Sequence, residues 1–327
     1  MPDPVGVCLQ TMWRSCGTYL FSRFRQHDAF HGYWEPCHEQ LADLRPGAAA
    51  AGVDRDAQAL LRHQELTDSY LKEFPVRPEG GVPFYQKRFA YDDYDLPGHA
   101  VDPAFQHYVA FLLSNARQHG KIPVLKPCRW SMRSAWLAAH FGVRCVYVLR
   151  DPDAVFRSYW SFNGRRSYFL MAALLIVAKN RRSELFAELA SAASIPAIEG
   201  KTTREELGTA YRLVEHATAN TLRDIVLLLW ALNLHHNVGA GAVVADVDVM
   251  VGQPDHRAAV EARIEQATGH RVALDGLRQT MTSAAPGLIV SPRGAAIARA
   301  ALSRLPRCEW TGVTVSPACE RVLSALV

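Results

Sequence analysis

Two separate segments of the chain carry side chains that could hold a phosphate group. The first is TMWRSCGTYLF (11–21), a polar loop with one cation, Arg14, and one glycine, Gly17, between an apolar run and a run with helical spacing. A strand, a tight loop and a helix cradle phosphate well, because N–H groups at the helix start point at the anion and the helix dipole favours negative charge. The loop lacks the GxxxxGK(S/T) pattern and therefore predicts an altered cradle.

The second segment is YVLRDPDAVFRSYWSF (147–162). Arg150 ends a very apolar run, and Pro152 suits the first turn of a helix, where its missing N–H costs nothing. In such a helix Ser158 lies about two turns along, where its hydroxyl can share an anion with a returning Arg150 side chain. An arginine fork and a hydroxyl suit a phosphate group. An Arg150–Asp151 pair that caps the helix explains the same residues.

Segments with strand and helix patterns alternate along the chain. We predict strands at 5–10, 29–35, 122–127, 145–150 and 241–251. Helical patterns occupy 17–27, 54–74, 104–120, 131–141, 153–162 and 255–269, and the apolar runs 169–178 and 225–234 predict buried helices. This alternation predicts an α/β fold with a parallel sheet and helices on both faces. Ligands of such sheets bind at the carboxyl ends of strands, where both phosphate segments lie.

Length and composition limit the classes of protein. The 327 residues, 49% of them hydrophobic, predict a single globular domain over 1–327, with helical insertions near 38–115 and 164–236. The net charge of +4 fits an anionic ligand but is too small to indicate nucleic-acid binding.

Location is predicted from the same composition. The N-terminal ten residues lack a basic stretch followed by an apolar one, so we expect no signal peptide. The apolar runs are too short to span a bilayer, so we expect no membrane anchor. Seven cysteines without a CxxC pattern predict reduced thiols in a cytoplasmic protein.

Both phosphate segments resemble motifs of sulfotransferases that use 3′-phosphoadenosine 5′-phosphosulfate (PAPS). WRSCGTYL (13–20) is similar to the 5′-phosphosulfate loop of that family, and RDPDAVFRSYWSF (150–162) to its 3′-phosphate motif, in the same order and at a similar separation. VVADVDVMVGQPDHRAAVEARIEQATG (243–269) is similar to the family's late strand and helix. The resemblance covers residues 4–30, 120–163 and 240–270, about a third of the chain.

The chain also departs from the family pattern. Cys16 stands where the family usually has glycine, and Val247 and Val249 stand where it often has tyrosine and leucine. The family pattern also includes an Arg-Lys-Gly element late in the chain. The one candidate for it here is SPRGAAIARAAL (291–302), which contains Arg293.

The resemblance implies a P-loop nucleoside triphosphate hydrolase-like architecture and transfer of a sulfuryl group from PAPS to a hydroxyl or amine, without a metal. Arg14 would stabilise the leaving phosphate, the Ser15 to Tyr19 loop would hold the 5′-phosphate, and Tyr19 would lie against the adenine. The donor-binding residues so implied are Arg14, Ser15, Cys16, Gly17, Thr18, Tyr19, Arg150, Ser158 and Arg293.

The general base is predicted from the ends of the second and third strands. Many members of the family place a carboxylate after the second strand, which is Glu35 here, and others place a histidine after the third strand. KPCRWSMR (126–133) contains no histidine, which favours Glu35. His38 is the alternative base. Lys126 and Arg129 would bind the donor, bind an acidic acceptor, or form ion pairs.

Two other functions remain open from the sequence. A P-loop nucleotide kinase or hydrolase would need a magnesium-binding carboxylate, for which Asp151 and Asp246 match poorly. A degenerate relative would bind nucleotide without turnover. The acceptor is predicted to be a small molecule, a glycan or a peptide, and both monomer and homodimer are open. No metal site is expected at His235 and His236, because no further ligand stands at a suitable spacing.

Overall fold

The computed structural model describes most of the chain. The described residues are 6–47, 69–92, 94, 102–130, 132–161, 163–164, 167–200, 202–277, 290–308, 310 and 312–326. Most of the helical pattern predicted at 54–74 lies outside these residues.

A five-stranded parallel sheet forms the centre of the protein. Its strands are β1 (Val7–Thr11), β2 (Phe30–Trp34), β3 (Ile122–Lys126), β4 (Arg144–Leu149) and β5 (Val243–Asp246). They lie in the order β2-β3-β1-β4-β5, and every neighbouring pair is parallel. The predicted α/β class with a parallel sheet is therefore confirmed.

Helices connect and cover the strands. They are α1 (Gly17–Arg25), α2 (Pro103–Gln118), α3 (Ser134–Phe141), α4 (Pro152–Ser161), α5 (Tyr168–Lys179), α6 (Ala187–Ala192), α7 (Thr203–His216), α8 (Ala219–Gly239), α9 (Val247–Gly252), α10 (Pro254–Thr268), α11 (Pro292–Leu302) and α12 (Pro317–Leu326). Short 3-10 helices occupy Glu39–Ala42 and Lys87–Ala90. The three hydrophobic clusters between these layers explain the apolar strands, since a parallel sheet is covered on both faces.

The two long apolar runs form the buried helices α5 and α8, as predicted. Every residue of α5 from Phe169 to Ala178 is buried, and so is the apolar middle of α8 from Ile225 to Leu234. A helix without a polar face must lie in the interior, and these two lie in one cluster with α4. In the part of the chain that the structure describes, no helix is long and apolar enough to cross a membrane.

The strand predicted at 241–251 is wrong in its second half. The strand ends at Asp246, and Val247–Gly252 form α9. The Asp246 carboxylate accepts hydrogen bonds from the N–H groups of Asp248 (2.9 Å) and Val249 (3.2 Å). This N-cap starts a helix although alternating valine and aspartate have the period of a strand.

The strand order creates a crevice between β1 and β4. The connection from β1 leads to β2 on one side of the sheet, whereas the connection from β4 leads to β5 on the other side. Ligands of open α/β sheets bind where connections diverge in this way, outside the carboxyl ends of the strands. The loops after Thr11 and Leu149 border this crevice.

Gly17 permits the close approach of α1 to β1. A Cβ atom at Gly17 would lie 2.6 Å from Thr11 Cγ2.

We therefore expect Gly17→Ala to lower the free energy of unfolding by about 1–3 kcal/mol, measured by urea denaturation. Gly208→Ala in α7 is the matched control, because its Cβ would have no heavy atom nearer than 3.9 Å. Adding Thr11→Ala to Gly17→Ala should recover part of the loss, and unchanged stability of Gly17→Ala would contradict this packing.

Candidate functional site

The loop after β1 has the backbone of an anion cradle. Arg14 and Cys16 both have positive φ angles, 65° and 60°. When a residue in the left-handed conformation stands next to a residue in the right-handed helical conformation, their N–H groups point into the same concavity. Cys16 is such a left-handed residue, and it directly precedes Gly17, the first residue of α1. The Cys16 side chain makes no capping hydrogen bond to that helix. The N-terminus of α1 therefore offers its N–H groups at the crevice.

The two predicted phosphate segments meet at Arg14. The Arg14 Nε donates a hydrogen bond to the Ser158 hydroxyl at 3.0 Å, and Arg150 Nη1 donates to the Arg14 carbonyl at 2.8 Å. The Arg14 guanidinium carbon also lies 5.5 Å from the centre of the Phe169 ring. The structure thus brings Arg14 together with Arg150 and Ser158, which lie 136 and 144 residues from it in the sequence.

Hydrogen bonds hold both the side chain and the backbone of Arg150. Its carbonyl accepts a hydrogen bond from Trp230 Nε1 of α8 at 3.0 Å, and its side chain is buried. Asp151 begins α4 by accepting the Asp153 N–H at 2.9 Å. The cap of α4 is therefore made by Asp151, which leaves the Arg150 guanidinium to reach across to the loop after β1.

Other predicted donor-binding residues have different surroundings. Ser15 is buried and Thr18 is half-buried at the same loop, and their predicted contacts with phosphate stay predictions. The Tyr19 hydroxyl donates to the Asp275 carbonyl. Arg293 lies on α11 with its Nε 3.6 Å from the Asp224 carboxylate, and the contacts of the described residues do not join it to Arg14.

Glu35 lies in a buried cluster of charges at the ends of β2 and β3. Its Oε1 is 3.0 Å from Lys126 Nζ, and its Oε2 is 3.1 Å from Arg129 Nη1 and accepts the Cys128 N–H at 3.2 Å. Burial alone would raise the pKa of Glu35, but the charges of Lys126 and Arg129 outweigh it and hold the pKa at about 2. Of the three roles considered for these two cations, the structure shows ion pairs.

This environment bears on the choice of general base. A general base works best with a pKa near the working pH, and the two cations stabilise the ionised form of Glu35 instead. The base role of Glu35 stays a prediction, but its contacts argue for a positioning role towards Lys126 and Arg129. The His38 Nδ1 accepts the Gln40 N–H at 3.2 Å, which places the ring proton on Nε2, and burial lowers the pKa of His38.

Reasoning from the sequence missed the other partners of Arg129 in this cluster. Arg129 Nη2 donates to Glu39 Oε2 at 3.0 Å, to the Tyr168 hydroxyl at 2.6 Å and to the Tyr91 hydroxyl at 3.2 Å. The Tyr168 hydroxyl donates in turn to Glu39 Oε1 at 3.1 Å. A buried arginine needs acceptors for its N–H groups, but the spacing of residues along the chain does not say which ones.

The Asp246 carboxylate, at the end of the outer strand β5, accepts its hydrogen bonds from backbone N–H groups. Asp246 accepts the N–H groups of Asp248 and Val249 through Oδ1 and the Ser316 N–H at 2.9 Å through Oδ2. Among the residues that the structure describes, no three His, Cys, Asp or Glu side chains form a group that could hold a metal ion.

No match is found for this chain among protein-family models, curated proteins or solved structures. The interpretation of the site therefore rests on its own geometry and on the motif resemblance.

The buried cluster makes Glu35 important for stability. We expect Glu35→Gln to lower the free energy of unfolding by about 3–5 kcal/mol, because it leaves the charges of Lys126 and Arg129 without their carboxylate partner. Urea denaturation at neutral pH measures this. Glu188→Gln is the control, because Glu188 pairs with Arg304 at the surface and should contribute less than about 1 kcal/mol. A Glu35→Gln variant as stable as wild type, but without activity, would instead favour the base role.

The pH dependence of the free energy of unfolding should also reflect the ion pairs of Glu35. The pKa of Glu35 is lower in the folded protein than its ordinary 4.5, so its contribution is complete above pH 4.5 and is lost as the pH falls towards 2. Glu35→Gln should remove this component, which denaturation series from pH 6 down to about pH 3 would detect. An unchanged slope in the variant would show that Glu35 is not strongly paired.

Proposed function

We propose that this protein is a PAPS-dependent sulfotransferase with a P-loop-like architecture. The observation that carries the proposal is the meeting of Arg14, Ser158 and Arg150 at the crevice between β1 and β4. The sequence resemblance assigns these residues to the 5′-phosphosulfate and 3′-phosphate ends of one donor. Contacts between them support a single site that binds both ends.

The residues present fit such a donor. A ligand with two separated phosphate groups needs cations and N–H donors at two places. The crevice offers the N-terminus of α1 and two arginines: Arg14, whose Nε donates to Ser158, and the buried Arg150, whose side chain donates to the Arg14 carbonyl. Cys16 adopts φ 60° and ψ 13°, the left-handed conformation that glycine adopts easily. Cys16 therefore has a backbone conformation that glycine would also adopt easily at this position of the loop.

Sulfuryl transfer places new negative charge on the oxygen that links sulfur to the departing phosphate. The donor supplies the activated sulfuryl group, and the protein must supply positive charge and orientation. Arg14 would stabilise the departing phosphate, and the Ser158 hydroxyl orients its guanidinium through Nε. The Phe169 ring lies 5.5 Å from the guanidinium carbon, within the range of a cation–π interaction.

The geometry gives less support to a nucleotide kinase or hydrolase. Such an enzyme needs a carboxylate directed at a magnesium ion beside the phosphates. Both oxygens of Asp246 accept backbone N–H groups, and Asp151 caps α4. A degenerate nucleotide-binding protein remains the alternative without catalysis, and it differs from the proposal only in turnover.

Titration calorimetry with adenosine 3′,5′-bisphosphate tests the donor site. We expect wild type to bind the bisphosphate in the micromolar range and more tightly than ATP with Mg²⁺. Arg14→Ala and Arg150→Ala should each weaken binding by about 10- to 100-fold, the usual value of a charge-assisted hydrogen bond. Arg157→Ala is the matched control, because Arg157 lies beside Ser158 on α4 but pairs with Asp153 at 2.6 Å.

Other outcomes separate the alternatives. Preferred binding of ATP with Mg²⁺ would favour a nucleotide kinase and contradict the proposal. Bisphosphate binding that weakens equally in Arg157→Ala and Arg150→Ala would show attraction by net charge rather than a site. Tight bisphosphate binding, without release of bisphosphate from PAPS in the presence of hydroxyl and amine acceptors, would identify the degenerate protein.

A further inference from the structure

The first residue of α5, Tyr168, reaches the buried charge cluster. Its hydroxyl accepts a hydrogen bond from Arg129 Nη2 at 2.6 Å and donates one to Glu39 Oε1 at 3.1 Å. Arg129 and Glu39 also pair with each other at 3.0 Å, so the hydroxyl bonds to a charged group on each side. Because charge-assisted hydrogen bonds are the strong ones, this contact holds the first turn of α5 in place.

The ring of the next residue, Phe169, lies against Arg14. Its centre is 5.5 Å from the Arg14 guanidinium carbon and 5.5 Å from the centre of the Tyr159 ring of α4. Phe169 also packs edge-on against Tyr168, with 5.9 Å between the ring centres. The Phe169 ring is buried among these aromatic neighbours, so its place depends on α4 and α5.

The position of the Arg14 guanidinium matters for the proposed reaction, because a group that stabilises a departing phosphate must already be aligned with it. The Arg14 Nε donates to Ser158 of α4, and Phe169 of α5 lies within range of a cation–π interaction with the guanidinium. These contacts come from two different helices and restrict a long side chain that otherwise samples many rotamers. A side chain that is ordered beforehand loses less conformational entropy on binding.

We propose that Tyr168 and Phe169 are positioning residues for Arg14. Tyr168 fixes the start of α5 on the buried pair of Arg129 and Glu39. Phe169 in turn fixes the Arg14 guanidinium, so both residues act through Arg14 rather than on the reacting atoms. The inference rests on the proposed function for its effect on donor binding, whereas the position of the guanidinium can be measured without any ligand.

A double-mutant cycle on bisphosphate binding tests the role of Phe169. Calorimetric titration of adenosine 3′,5′-bisphosphate compares wild type, Phe169→Leu, Arg14→Ala and the double variant. Phe169→Leu should weaken binding by about 5- to 10-fold when Arg14 is present and by less than about twofold in Arg14→Ala, because residues in contact are energetically coupled. Equal weakening in both backgrounds would show a general effect on the fold and would overturn the inference.

The variant Tyr168→Phe tests the contact with the buried cluster, because it removes the hydroxyl and keeps the ring. The matched control is Tyr91→Phe, which removes a hydroxyl 3.2 Å from the same Arg129 Nη2 but lies outside α5. Tyr168→Phe should weaken bisphosphate binding by about threefold or more, whereas Tyr91→Phe should bind like wild type. Equal bisphosphate affinities of these two variants would contradict the role of Tyr168.

Nuclear magnetic resonance of protein with isotope-labelled arginine measures the same positioning without a ligand. The Arg14 Nε–H signal, assigned by its absence in Arg14→Lys, reports the contact with Ser158 and the ring current of Phe169. The signal should shift in Tyr168→Phe and keep its wild-type position in Tyr91→Phe. An unchanged signal in Tyr168→Phe would overturn the inference. A shifted signal in Tyr168→Phe, with no bisphosphate binding to wild type, would contradict the proposed function and leave the positioning of Arg14 standing.

Discussion

A buried arginine sets the arrangement of the carboxyl edge of the sheet. Arg129 has no exposed side-chain surface, and an uncompensated charge at that depth would cost several kcal/mol or more. Glu35 and Glu39 compensate it, together with the hydroxyls of Tyr91 and Tyr168. These partners come from the residue after β2, from a 3-10 helix, from the segment after the Lys87–Ala90 helix and from α5. One guanidinium therefore joins four parts of the chain to the segment that follows β3. Because the Tyr168 contact fixes the start of α5, it also fixes the ring of Phe169 under Arg14.

Backbone strain is concentrated at the same edge. Among the residues that the structure describes, six other than glycine have positive φ, and three of them, Arg14, Cys16 and Glu35, directly follow β1 or β2. Such conformations cost about 1–3 kcal/mol each and persist only where surrounding contacts impose them. Here the contacts are identifiable, since Arg150 holds the Arg14 carbonyl and two cations hold the Glu35 carboxylate. β3 separates β1 from β2 in the sheet, so the strain occupies two places on one edge.

Local patterns in the sequence predicted the sheet, the buried helices and the position of the Arg14 and Arg150 segments at one edge, because the carboxyl ends of parallel strands lie at the same edge of a sheet. The surroundings of Glu35 could not be predicted in this way. Its position after β2 was evident, but its pKa depends on Lys126 and Arg129, which are more than ninety residues away. The pairing of Arg293 with Asp224 of α8 could not be predicted either, and the donor-binding role of Arg293 stays a prediction. Position along the chain predicts the edge at which a residue lies, whereas its chemistry depends on non-local partners.

The ion pairs of the cluster also determine where a second anion can bind. Lys126 and Arg129 stand at the cleft beside the proposed donor site, and the sequence left open that they bind an acidic acceptor. Glu35 and Glu39 already compensate both charges in a buried setting, and an incoming anion would have to displace a carboxylate from a well-formed pair.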